Sequence, residues 1–190
     1  MMKTLIKLVL ALAVVVSLSG CTAAVIGATA VGIYSAADTR TVGTQIDDQT
    51  VEVRVIAALQ GEERLEESRI KVVSYNRRVL LMGQTPNESL KRLAQQIARD
   101  TKGVDQVHNE VRVTEVIGMA TISKDTWITS KIKTKLLADD EVSGAKIKVV
   151  TENGEVFLMG LVEKAQAERA IELARNTNDV KRVIDAFEII

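Results

Sequence analysis

One cysteine and one histidine occur in this chain of 190 residues, and they bound its covalent and acid–base chemistry. Cys21 alone permits no intrachain disulfide. His108 alone rules out a multi-histidine metal site, and any Ser-His-Asp or Cys-His arrangement would have to use it. No glycine-rich phosphate loop follows a strand, and no acid–base pair is set up by spacing. Glu62, Glu63, Glu66 and Glu67 form an acidic loop that reads as solvated rather than cation-binding, and Asp139-Asp140-Glu141 suggests no chemistry. Acidic and basic residues number 25 each, so no global charge favours nucleic acid. Catalytic residues, metal ligands and a small-molecule substrate are not expected.

The remaining candidates lie at helical spacing around Trp127. Ile128, Ile132 and Leu136 form an i, i+4, i+8 row that would face a core. At 100° per residue, Trp127, Ser130, Thr134 and Leu137 then lie on or beside the opposite face. Lys131 and Lys133 flank that ridge, and Lys124 stands near its start. An outward tryptophan and leucine among lysines fit an anionic membrane interface. The ring favours the headgroup level, and each lysine near an anionic surface adds about 1 kcal/mol. The blander alternative is that Trp127 packs between two structural units, since tryptophan is usually well buried.

The elements that would position these residues occur twice. Ile70-Lys71-Val72-Val73 and Val79-Leu80-Leu81-Met82-Gly83 return as Ile147-Lys148-Val149-Val150 and Val156-Phe157-Leu158-Met159-Gly160, offset by 77 (147 − 70). Two β-branched runs around a short polar turn predict a hairpin. Asn153-Gly154 suits a type I′ turn, whereas Asn76-Arg77 is a weaker signal. Gly83 and Gly160 at the strand ends predict positive φ or a close backbone approach.

A helix precedes each hairpin, with Val51, Val55 and Leu59 matching Ile128, Ile132 and Leu136. Asp48 and Asp125 are expected to cap these helices, and Gly61 to stop the first. A second helix follows each hairpin, opened in copy one by a capping box at Thr85-Pro86-Asn87-Glu88. Its buried residues are Leu90, Leu93, Ala94 and Ile97, and in copy two Ala167, Ala170, Ile171 and Ala174. A strand closes each unit, with Val111 matching Phe187 at an offset of 76. The fold class is therefore α+β: two tandem α-β-β-α-β units, each a three-stranded mixed sheet packed against two helices. Units of about 65 residues sit near the lower limit for a self-sufficient core, so they are expected to pack on each other or on a partner.

Residues 1–20 carry Lys3 and Lys7 ahead of an apolar run from Leu8 to Val16, too short to span a bilayer comfortably. Leu18-Ser19-Gly20-Cys21 follows and resembles a bacterial lipobox. The resemblance implies cleavage before Cys21, a diacylglyceryl thioether on its sulfur and an acylated amino terminus. Such chains give stable anchoring at roughly 0.8 kcal/mol per buried CH₂. Thr22 in place of aspartate implies sorting to the outer membrane, facing the periplasm.

The repeated unit itself resembles the BON domain family. Val79-Leu80-Leu81-Met82-Gly83 with Val104-Asp105-Gln106-Val107-His108-Asn109 carries the likeness in copy one. Val156-Phe157-Leu158-Met159-Gly160 with Val180-Lys181-Arg182-Val183-Ile184-Asp185 carries it in copy two. The resemblance implies a non-enzymatic envelope protein that binds anionic phospholipid and supports outer-membrane integrity, with no cofactor beyond the acyl and diacylglyceryl groups on Cys21. The expected layout is a signal peptide (1–20), an acylated N-terminus and linker (21–45), a first BON-like unit (46–114), a linker (115–123) and a second unit (124–190). The copies differ where function would lie. Residues 124–137 hold four lysines and one aspartate, whereas 48–61 hold two acids, one arginine and no aromatic. The second unit is thus expected to bind the membrane. The alternative is an adaptor whose Trp127 surface docks an envelope protein.

Overall fold

The computed structural model describes residues 41–190; the expected signal peptide, Cys21 and most of the tether lie outside the described residues. Helix α1 (Val42–Gln60) leads to the hairpin β1 (Arg69–Tyr75) and β2 (Arg78–Thr85), then α2 (Glu88–Asp100) and β3 (Gln106–Val113). Helix α3 (Met119–Ala138) leads to β4 (Lys148–Glu152) and β5 (Glu155–Met159), a short β6 (Leu161–Val162), α4 (Lys164–Arg175), β7 (Arg182–Asp185) and β8 (Glu188–Ile189). In each unit the central hairpin strand pairs antiparallel with its predecessor and parallel with the closing strand: β1-β2-β3 and β4-β5-β7. The two α-β-β-α-β units follow the expected plan.

Copy two departs from it at one point. Its long strands break, and β6 pairs with β8 as a separate ribbon. A Cβ on Gly160 would stand 2.9 Å from the Lys146 carbonyl and 3.5 Å from the Phe187 ring. The Phe187 amide donates to Asp185 Oδ1 at 2.9 Å, as the Val111 amide donates to Asn109 Oδ1 at 3.2 Å in copy one. Gly160 therefore answers a close approach. Gly83 has φ 121°, and a Cβ there would lie 1.9 Å from the Arg69 carbonyl oxygen.

Asp48 and Asp125 do not cap helices. Thr41 caps α1, Gly118 precedes α3, and both aspartates lie within their helices. They are buried against the hairpin turns. Asp48 accepts from the amides of Asn76 and Arg77, both at 2.7 Å, and from the Ser74 hydroxyl at 3.2 Å. Asp125 accepts from the amides of Asn153 at 2.7 Å and Gly154 at 2.8 Å. Asn76 and Arg77 have φ 50° and 60°, so the turn without glycine still adopts the type I′ conformation. A left-handed arginine costs roughly 1–2 kcal/mol, which two charge-assisted bonds offset. The expected capping box is also displaced. Asn87 caps α2 by accepting from the Leu90 amide, while Thr85 is the last residue of β2.

Both helices of each unit lie on one sheet face. In unit one Val51, Val55, Leu59, Val72, Val79, Leu81, Ala94, Ala98 and Val111 make that core. In unit two Ile128, Ile132, Leu136, Val149, Val156, Leu158, Ala167, Ala170 and Ala174 contribute to its equivalent. The alternate strand residues face the other way, as strand geometry demands. Val73, Tyr75, Leu80 and Met82 of unit one pack there on Phe157 and Met159 of unit two. The layers run helix, sheet, sheet, helix. The described residues form one compact unit built on these three cores, so fragment 38–190 is expected to fold alone.

Polar contacts set the register of that seam. Glu152 is buried and takes Lys71 Nζ at 2.8 Å, Gln84 Nε2 at 2.8 Å and the Arg69 guanidinium. Lys148 reaches Glu52 at 3.3 Å, Arg112 donates to Glu155 at 3.0 Å and Asn76 to Glu188 at 2.9 Å. The Leu161 amide donates to Tyr75 Oη at 3.1 Å. His108 on β3 is half-buried, with Nε2 3.1 Å from an Arg78 nitrogen. A guanidinium only donates, so Nε2 accepts and the ring is neutral.

Two outcomes are expected. Asp48→Ala leaves two turn amides without their acceptor and should cost about 2–3 kcal/mol, lowering Tm by roughly 5–10 °C in a thermal melt. Burial, then the Arg78 cation, holds the His108 pKa below its ordinary value. As pH falls through about 6.5 the unfolded chain takes up a proton that the folded ring resists, so stability declines there and is unaffected above it. The imidazole NMR resonances should titrate below that of a free histidine, and Arg78→Ala should move the midpoint up.

Candidate membrane-binding face

The functional candidates gather on α3. Its inward face is fixed by Ile128, Ile132 and Leu136, all fully buried, and by Asp125 on the turn. The outward face carries Trp127 at 64% exposure and Leu137 at 66%. Trp127 therefore does not pack between the units, where Tyr75 and Phe157 sit instead. Met119, 74% exposed, lies on the same ridge and extends it toward the N-terminus. A helix begun at Lys124 leaves Met119 out; its spacing of 18 from Leu137, five full turns, carries the signal. At 1.5 Å per residue, Met119 to Leu137 spans about 27 Å.

Between these apolar side chains the ridge is hydroxylic. Thr126 donates to the Ile122 carbonyl at 3.0 Å, Ser130 to Thr126 at 2.9 Å and Thr134 to Ser130 at 3.0 Å. Each hydroxyl hydrogen bond folds back onto the preceding turn. Ser130 and Thr134 thus need no outside acceptor, and desolvating them leaves no unsatisfied hydroxyl donor.

The lysines divide into two groups. Lys131 Nζ lies 5.9 Å from the centre of the Trp127 ring, within cation–π range. On that flank α3 is laced to the loop after α4. Lys124 pairs with Asp179 at 2.7 Å and Lys131 with the same carboxylate at 3.7 Å. Lys131 also donates to the Asn178 carbonyl at 3.4 Å. Lys135 donates to the Asn176 carbonyl at 3.0 Å and to Thr177 Oγ1 at 2.9 Å. Lys124, followed by Lys131, holds the Asp179 carboxyl below the usual carboxylate range. Lys133, on the other flank, is exposed and makes no ion pair among the described residues.

Unit one presents a different surface. The outer face of α1 exposes Ile46 and Val53 without an aromatic, and Thr50 donates back to the Ile46 carbonyl at 2.8 Å. In the acidic loop Glu62 binds Arg64 at 2.7 Å and opens a short 3₁₀ turn. Among the described residues no group of three or more His, Cys, Asp or Glu side chains could hold a metal ion. No helix among them is long and apolar enough to cross a membrane.

Several proteins resemble the chain over most of its length. It is 44% identical over 185 residues to the outer membrane lipoprotein DolP of Haemophilus influenzae, covering 97% of this chain and 96% of that one. It is 47% identical over 154 residues to the 21 kDa hemolysin of Actinobacillus pleuropneumoniae, covering 80% and 79%. Osmotically-inducible protein Y of Escherichia coli K12 is 33% identical over 145 residues, covering 75% and 72%. The near full-length likeness to the first places this chain at the outer membrane as a lipoprotein. The BON domain model matches twice, at residues 47–115 and 124–190. With two matched units covering most of the chain, this protein belongs to the BON domain family.

Proposed function

We propose that this lipoprotein binds anionic phospholipid through α3 of its second unit and thereby supports outer-membrane integrity, held at the periplasmic face by lipid on Cys21. The exposed tryptophan carries the reading. Trp127 presents its ring to solvent beside Lys131, on the same outer face as Met119 and Leu137. A buried position was available to a large aromatic in the seam, yet Phe157 occupies it. An exposed aromatic ridge flanked by lysines matches what the headgroup region rewards: apolar rings at the boundary and cations facing phosphate. The back-bonded hydroxyls lower the desolvation cost of the same face. Neither the apolar nor the charged contribution is large alone, so binding depends on both. The reading involves no catalytic step.

The two sheets share one core, so fragment 38–190 is the right material for testing division of labour, rather than separated units. Trp127→Glu places a charge where the ring meets solvent. It should leave Tm unchanged within a degree or two and weaken binding to anionic vesicles by about tenfold or more in flotation. Val53→Glu makes the same change on the outer face of α1 and should leave binding intact. A Trp127→Glu variant that folds and still floats would sink the lipid reading and favour a protein-docking surface.

Anchoring is tested separately in cells. Cys21→Ser should abolish the mass increase expected of an acylated amino terminus and release the mature chain, or leave its precursor uncleaved. An unchanged mass and unchanged detergent partitioning would remove the anchor.

A further inference from the structure

The lysine flank of α3 is already occupied, and by an acid. Asp179 accepts Lys124 at 2.7 Å and faces Lys131 at 3.7 Å, while Lys131 lies 5.9 Å from the Trp127 ring centre. Asp179 is itself partly exposed and has φ 75°. The loop leading to it is tied to α3: Lys135 donates to the Asn176 carbonyl and the Thr177 hydroxyl, and Lys131 to the Asn178 carbonyl. Lys181, on the other side, is committed to Asn153 Oδ1 at 2.9 Å. The carboxylate thus stands between two ammonium groups.

We propose that Asp179 is a built-in competitor for the lipid phosphate, and that Lys124, Lys131 and the Trp127 edge form the headgroup site it guards. This rests on the membrane reading of α3. The exchange is an ion-pair swap with no covalent change. Lys124 and Lys131 leave Asp179 for phosphodiester oxygens as the ring enters the headgroup layer. A surface pair of this kind is weak in water, so it yields to a dense anionic surface but not to dilute anions. Lys133, with no ion pair to break, makes the first attraction. The outcome is selectivity: a weakly charged bilayer cannot repay the displaced acid, and a strongly charged one can.

The test uses fragment 38–190 and vesicles of phosphatidylcholine with graded phosphatidylglycerol. Asparagine also tolerates positive φ, so Asp179→Asn keeps the loop conformation while removing the charge. It should bind roughly five- to tenfold more tightly at low phosphatidylglycerol content, and the gain should shrink as that content rises. Asp140→Asn, the same charge change at an exposed acid of the following loop, should give less than about a twofold gain. In a Lys124→Gln/Lys131→Gln background, Asp179→Asn should give none. No gain in the wild-type background, or an equal gain without the two lysines, would overturn the competitor role. Wild-type binding lost to inorganic phosphate at matched ionic strength would overturn the assignment to a bilayer headgroup. Failure of the wild-type fragment to bind any anionic vesicle would instead strike the underlying reading of α3, and the inference with it.

Discussion

Each sheet has helices on one face only, and the rest of the structure follows from how the other face is covered. A unit of this size cannot bury both faces of a three-stranded sheet by itself. The chain solves this by duplication. Leu80, Met82, Tyr75 and Val73 meet Phe157 and Met159, so each sheet is the other's missing layer. Fully burying side chains of this kind contributes about 1.5–3 kcal/mol each. That area sets the strength of the seam but not its alignment. Alignment comes from Glu152, held by Arg69, Lys71 and Gln84 across the seam. Desolvation offsets much of what such a buried cluster gains, so its effect lies in register more than stability.

With the inner faces spent on each other, the outward sides of the helices are what remains for function. The two units share a scaffold yet expose different chemistry there. The matched aspartates Asp48 and Asp125 show how closely the scaffold repeats, each reaching from a helix to a hairpin turn. The outer ridges show where repetition stops. On α1 the ridge is aliphatic with Arg54 beside it, whereas on α3 it is aromatic and bordered by several lysines.

What could be read from the sequence was what has a period. Strand alternation located the hairpins, and the i, i+4 rows located the first helices and their buried sides, which fixed the outward direction of Trp127. Interactions between distant residues were not legible. The Asn76-Arg77 turn looked weak because its stabilising partner, Asp48, lies on another element. The aspartates looked like caps because the helices extend beyond their regular apolar pattern, and Met119 escaped notice for the same reason. Lys124 and Lys131 looked available because Asp179 follows an intervening hairpin and helix.

The stacking order also sets a height. Sheets pack about 10 Å apart and a helix with its side chains is about 10–12 Å across, so the axes of α1 and α3 stand roughly 30 Å from each other. Under the proposed binding, α3 rests on the bilayer and the ridge of Ile46 and Val53 is lifted into the periplasm, facing away from the lipid.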